Sequence, residues 1–490
     1  MKNYQNFLIV LLLIPLSCQQ SSNHSLTFNQ NTLASIGDKK ITVNDFIKRC
    51  EYVPRPSYCS GDSYIHKKIA LNSLIAEKLL SLVFEKNGDT LTHNQKISIL
   101  GQKEQAMRHL TLKNFGYDLV EIDKEKINLM SRLYNRKYEL SYILVDKENE
   151  NIIKTFLNNL SLNDISKRLK ITRSIEEKTI TIDDSMIESM KEILFYETPH
   201  LDFIYGPFKA DSKNLILFKV NGWTSNIDVS EKQKQDSWKK AEIDFLDKNA
   251  LKNYSRFVSK IMKGKKIQYN SIIFEQFSKK LAQIYLIERD NKEKIIQNKI
   301  WEIDKQSSVL SFDDIKNIEE KTLLYHDDME YKISDILELI KKHPLVFRTK
   351  NIHSSNFENE LKFAIADLLR DLHITNEAYD LGYNDSLEVL NVELKWSDHI
   401  KAITKKEDFA SLSSKKENVL RLIDDAIDSL QIYYSDIVKI DTDKFEQIQL
   451  SRIDMNVRYS NQPYSKMEPD FPILTNDHLL DYGKKEIFNE

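Results

Sequence analysis

The chain has 490 residues with 71 Lys+Arg against 74 Asp+Glu, a formal net charge of −3. So even a mixture of signs argues against a nucleic-acid binder, which carries a clustered basic face. It holds only 10 Gly and 9 Pro, where average usage would give roughly 34 and 25. That scarcity excludes a turn-dense sandwich, barrel or propeller. With no GxGxxG and no GxxxxGK[ST], a glycine-cradled nucleotide site is excluded as well.

Residues 1–17 read as a signal peptide: Lys2 is the positive start and Phe7 to Leu13 an apolar run too short to span a bilayer. Pro15-Leu16-Ser17-Cys18 resembles a bacterial lipobox, which makes Cys18 the expected lipidated residue and 18–32 a polar tether. Loss of residues 1–17 removes only Lys2 and leaves a formal charge of −4. The chain is expected in the periplasm, held by its N-terminal lipid to the outer membrane and touching the membrane in no other way. Cys50 and Cys59 flank a loop containing Pro54 and Pro56. In an oxidising compartment such a pair is expected to form a disulfide, the alternative being two separate buried thiols. The histidines show no zinc spacing, and no metal or cofactor is expected.

Leu33–Ile36, Gly37–Lys40 and Ile41–Val43 read as strand, turn and strand, followed by a short helix from Asp45 with Asn44 as its cap. Leu71, Leu74, Ile75, Leu79, Leu82 and Val83 recur at helical spacing up to Gly88. Residues 94–115 and 123–135 add two helices. From 136 to 224 the period changes. Tyr138–Val145, Thr179–Ile182 and Leu215–Val220 read as strands, separated by helices near 149–160, 162–169 and 184–195, with Gly206-Pro207-Phe208 as a turn. Residues 225–305 return to helix.

An internal repeat organises the remainder. Val43-Asn44-Asp45 and Ile75-Ala76-Glu77 return as Ile333-Ser334-Asp335 and Ile365-Ala366-Asp367, a step of 290 residues, and Gly88 returns as Gly382, a step of 294. Ile267-Gln268-Tyr269-Asn270 resembles Ile440-Asp441-Thr442-Asp443 at a step of 173, and Phe274 matches Phe445 once a shift is allowed inside the segment. The predicted fold is mainly α. A helical module spans 33–135 and is completed by 225–305. A small α+β domain, 136–224, is inserted in it, and residues 306–490 repeat the module without the insertion.

This order of parts resembles the SurA/PpiC-type periplasmic foldases. The likeness is carried by Ile36–Lys48, with its Gly37-Asp38-Lys39-Lys40-Ile41-Thr42 turn, and by Leu71–Gly88, Tyr138–Val145 and Gly206–Val220. It implies a parvulin-like prolyl isomerase domain inside a chaperone module. Where that family places histidines, this chain has Tyr142 in Ser141-Tyr142-Ile143-Leu144, and Leu215 or Ile216 near the end of the last strand. The resemblance therefore implies a parvulin domain without its catalytic residues, and a chaperone for unfolded or aromatic-rich polypeptides such as outer-membrane β-barrels. Two other readings remain open at this point: an active isomerase with altered residues, and a structural lipoprotein subunit of an outer-membrane assembly or secretion complex. The oligomeric state is open too.

Overall fold

The computed structural model describes residues 31–488 except 158–159, 202, 212, 227–229, 299–312, 350–351, 412–418 and 451–467. The signal-like segment and Cys18 lie outside the described residues. The chain opens on a hairpin, β1 (Thr32–Ile36) and β2 (Lys39–Thr42), with left-handed Gly37 in the turn. Helix α1 (Val43–Glu51) is capped by Thr42, not by Asn44: Thr42 Oγ1 accepts the Asp45 N–H at 3.0 Å and Asp45 answers it. Thr92 starts α3 (His93–Phe115) in the same reciprocal way with Gln95, Ser63 starts α2 (Tyr64–Lys86) by accepting the His66 N–H alone, and α4 (Lys124–Tyr134) follows.

The α+β unit contains β3 (Arg136–Asp146), α5 (Glu150–Phe156), α6 (Leu162–Arg168), β4 (Glu176–Ile180) and α7 (Glu188–Lys191), which runs into a π-helical turn over Glu192–Tyr196. Strands β5 (Ile204–Lys209) and β6 (Asn214–Ser225) close it, and the antiparallel sheet runs β4-β3-β6-β5. The turn expected at Gly206-Pro207-Phe208 is thus an edge strand with a register shift between Tyr205 and Phe208, where an edge tolerates proline's missing donor. Alternation gives the sheet two apolar faces. Ile143, Val145, Leu215 and Leu217 pack with α5 and α6 residues. Tyr138, Leu140, Ile216 and Phe218 pack toward Met190, Phe195 and α4. Helix α8 (Glu231–Ile261) leaves the unit alongside α4, joined by Tyr134–Asp244 at 2.7 Å and Trp238–Asn128 at 3.0 Å.

Next come β7 (Ile267–Tyr269), α9 (Ser271–Asn298), a second hairpin β8 (Thr322–His326) and β9 (Met329–Lys332), then α10 (Ile333–Lys342), α11 (Phe357–Asp380) and α12 (Leu387–Ser411). The chain ends with α13 (Val419–Tyr433), β10 (Val438–Ile440), α14 (Thr442–Gln447) and β11 (Lys484–Lys485). The two hairpins share one register: Thr32↔Thr42, Ala34↔Ile41, Ser35↔Lys40 and Ile36↔Lys39 become Thr322↔Lys332, Leu324↔Tyr331, Tyr325↔Glu330 and His326↔Met329. Every pair moves by 290 residues, and the irregularity after the first pair moves with it.

Completion of the modules differs from expectation. Residues 225–305 do not close the first sheet. Strand β7 pairs with β8 of the second hairpin, and β10, near the C-terminus, pairs with β1 of the first. The register makes Tyr269 equivalent to Ile440, a step of 171 rather than 173. The second hairpin thus receives its third strand from the segment just before it, and the first receives its own from near the C-terminus. The cores agree. The first joins Leu33, Phe46, Leu71 and Ile75 to Val438, Ile440 and Phe445. The second joins Phe274 and Phe277 to Leu324, Ile336 and Ile365.

The third helices are exchanged as well: α12 packs along α2, and α3 packs along α10 and α11. Gly101 permits one of these crossings, because a Cβ there would stand 2.1 Å from the Lys342 carbonyl oxygen. Each exchanged helix also carries a buried acid, Glu104 and Asp398, one 294-residue step apart. Asp398 accepts from Lys39 at 2.7 Å, Lys78 at 3.0 Å and Ser81 at 2.7 Å. Glu104 meets Lys342 at 2.5 Å and His343 at 2.7 Å. The molecule is mainly α with small sheets, built as two intertwined halves.

Candidate functional site

Alternation along β6 decides between the two positions named from sequence. Leu215 lies on the α5–α6 face, whereas Ile216 lies on the other face with Tyr142. Tyr142 pairs with Phe218 across β3–β6, and Leu144 with Ile216. The Tyr142 hydroxyl donates to Glu176 on β4, and that carboxylate, with burial, pushes its pKa up. Tyr205 and Phe208 complete this face, Tyr205 stacking on Phe218 at 5.2 Å between ring centres. A neutral phenol held by a carboxylate beside a buried isoleucine offers one hydrogen-bonding group where two imidazoles would offer more.

Cys50 and Cys59 are both fully buried in the first core and remain thiols, so the expected disulfide is not made here. Burial pushes the Cys50 thiol up to about 12, with Cys59 adding to the shift against Arg55 and Arg49. The loop between them is pinned by another device. The Arg55 guanidinium donates to the carbonyls of Cys59 at 2.5 Å, Ser60 at 3.1 Å and Gly61 at 3.2 Å. The prolines that suggested a braced disulfide loop frame an arginine-filled one.

A larger feature belongs to no single sequence motif. A cleft of about 720 Å³ opens where β2 and α1 face α3 and α12, with Lys39, Asp45, Lys48, Lys395, Asp398 and Glu468 on its walls. Lys395 reaches Glu468 at 2.5 Å and Asp45 at 3.5 Å. Burial would raise the Asp45 carboxyl, but Lys395 and the Thr42 hydroxyl outweigh it and hold its pKa low. Beneath lies Glu77, bonded to Arg49 and His399 at 2.8 Å each. Arg49, His399 and Lys78 override the cost of full burial and keep Glu77 ionised far below the usual carboxylate range. Leu387 and Leu394 stand at the same cleft, each more than half exposed. The arrangement offers internally neutralised charge beside accessible aliphatic surface. Its lining includes no residue of the α+β unit. A second cavity of about 610 Å³ lies in the α+β unit near Ser141, Leu160, Phe203 and Lys219, and does not open on Tyr142, Leu215 or Ile216.

Sequence reasoning missed the cleft because its walls come from positions far apart in the chain. Among the described residues no helix is long and apolar enough to cross a membrane. Compared with family models, curated proteins and solved structures, the chain matches none.

Proposed function

We propose that this protein is a lipid-tethered periplasmic chaperone of the SurA/PpiC type, which binds unfolded outer-membrane protein segments through a parvulin-like domain and helical halves without isomerising proline bonds. The observation that carries the reading is the inter-half cleft, where exposed Leu387 and Leu394 border charges already paired with one another. An extended polypeptide gains apolar burial there without stripping water from an unpaired ion. The buried Ile216 and the carboxylate-bound Tyr142 support binding without catalysis, since lowering an amide barrier of roughly 18–20 kcal/mol requires groups that favour the twisted state.

The test is suppression of aggregation of an unfolded outer-membrane β-barrel at near-stoichiometric ratios, run beside a protease-coupled proline-peptide assay. The unaltered chain should suppress aggregation and leave the isomerisation rate unchanged. Leu387→Asp with Leu394→Asp should weaken suppression, and Tyr142→Ala should not. Absence of suppression by the unaltered chain would sink the reading. A rate enhancement lost in Tyr142→Phe would replace it with an isomerase, for which the Tyr142–Glu176 pair is the observation in favour. Stable co-purification with a single membrane partner would favour the structural-subunit reading.

A further inference from the structure

The second hairpin departs from the first at one chemically pointed place. The 290-residue step that superimposes the hairpins takes His326, Asp327 and His373 to Ile36, Gly37 and Val83. The fold is therefore satisfied by an apolar residue at His326 and by glycine at Asp327. His326 is nonetheless buried, and Asp327 adopts φ +49°, a left-handed conformation that Gly37 meets at φ +56° without a side-chain penalty. The turn itself does not require these residues, although the Asp327 carboxylate here accepts the Lys266 N–H at 3.2 Å.

What they form is a convergent donor set. His326 Nδ1–H donates to the Lys266 carbonyl at 2.9 Å, which leaves Nε2 as the lone-pair nitrogen. A backbone carbonyl fixing the far nitrogen in this way is the usual support of a metal-bound histidine. The lone pair faces His373 Nε2 at 2.7 Å, and one ligand atom from each of His326, His373 and Asp327 lies within 4.8 Å of the others. The geometry points to a site for a divalent transition-metal ion of the zinc class, held by His326 Nε2, His373 Nε2 and the Asp327 carboxylate, with a fourth position open to solvent.

Two neutral imidazoles and one carboxylate suit a borderline ion that accepts tetrahedral coordination. With bonds of about 2.0–2.1 Å, two tetrahedral nitrogen ligands stand roughly 3.3 Å apart, so the rings must part by about 0.6 Å. His373, half-buried on α11, is the ring able to move. The proton now shared between the rings leaves Nε2, and His373 takes one from solvent on Nδ1, so the pair stays neutral. Asp327 exchanges the Lys265 ammonium, now at 2.8 Å, for the ion. Because Lys266 begins the stretch that crosses from the first half into β7, the ion would tie that crossing to β8 and α11. No Cys/His spacing in the sequence announces such a site; it arises only when β8 meets α11.

The untagged full chain in metal-free buffer is titrated with Co²⁺ and followed by its visible d–d absorption. Zn²⁺ is then used as competitor, and the thermal midpoint is read with and without Zn²⁺. One ion per chain with a tetrahedral absorption band is expected, and Zn²⁺ should displace it and raise the midpoint, since it binds the native state. Supporting partners alone govern about 10–100-fold in metal affinity, so His373→Leu should weaken Co²⁺ binding at least about a hundredfold. Asp327→Gly, which installs the residue of the first hairpin, should weaken it about tenfold and keep the fold, giving a second arm if His373→Leu does not fold. Failure of the unaltered chain to take up one ion, or equal affinity in either folded variant, would overturn the assignment.

Discussion

The two halves share a scaffold and differ in what they bury. The hairpin registers are equal pair for pair, the left-handed stops fall at Gly88 and Gly382, and each core is closed by a phenylalanine that follows its third strand, Phe445 in one and Phe274 in the other. The polar content has diverged. The first half buries Glu77 against Arg49 and His399, whereas its counterpart Asp367 pairs with Arg348 near the surface. Thr42 caps α1 with its hydroxyl, whereas Lys332 at the matching place contributes only its backbone N–H, donated to Asp335 at 2.8 Å. Apolar contacts therefore set the exchanged topology, and polar groups were left to specialise upon it.

That contrast can be broken most forcefully at the exchanged phenylalanines. Phe445→Ala and Phe274→Ala should each cost about 3–5 kcal/mol in urea unfolding. The diagnostic result is where hydrogen-exchange protection is lost: Phe445→Ala should expose 33–50, and Phe274→Ala should expose 323–340. Loss of protection in the opposite hairpin for either variant, 323–340 for Phe445→Ala or 33–50 for Phe274→Ala, would show that the strands are not exchanged.

Glu77 sharpens the polar difference. Glu77→Ala leaves Arg49 buried without its carboxylate and should cost about 3–5 kcal/mol, while Asp367→Ala, which leaves the partly exposed Arg348 and Arg370 free to turn to water, should cost about 1 kcal/mol. Equal losses would contradict the difference in burial. Gly101→Ala tests the crossing by its sign. In an isolated helix it would stabilise by roughly 1 kcal/mol, but against the Lys342 carbonyl it should destabilise by about 1–3 kcal/mol.

Acid should act in two stages. The depressed pKa values of Glu77, Glu104 and Asp398 give stability that is complete above the unfolded carboxylate value and lost as pH falls through their folded values. Burial lowers the His343 pKa against the pull of Glu104, so the folded chain takes up that proton at a lower pH than the unfolded chain does. The unfolded chain takes up that proton as pH drops below about 6.5, so stability should already decline there. Urea midpoints measured from pH 8 to 5 should show this early decline, and His343→Gln should flatten it. The smallest effect is at the caps: Thr42→Ala should cost about 0.5–2 kcal/mol, whereas Lys332→Ala should fall within about 0.5 kcal/mol of zero.

The sequence carried the hairpins, the helices and the 290-residue step because those depend on apolar spacing and on turn residues such as Gly37 and Gly382. It did not carry the exchange. Ile267-Gln268-Tyr269 and Val438-Lys439-Ile440 are short β-capable triplets, and neither contains anything that names one hairpin over the other; the choice is made by Phe274 and Phe445 finding their cores. The site was legible in the same partial way. The place of Tyr142 on a strand was legible from the apolar run around it, and period-two alternation separates Ile216 from Leu215 once β6 is continuous. The arginine-filled loop between the cysteines and the cleft lined by Asp45, Lys395 and Asp398 depend on distances across the fold, which a linear pattern does not encode.

Pairing of β1 with β10 also sets a timetable. Strand β1 is completed only when residues 438–440 arrive, some 400 residues after Ile36. At a synthesis rate of roughly 5–20 residues per second, the first sheet keeps an open edge for on the order of 20–80 seconds while the chain emerges. The second half has β7 in hand before β8 is made, so it is the part that can assemble first. The N-terminus leads the chain out, and its half is the last to close.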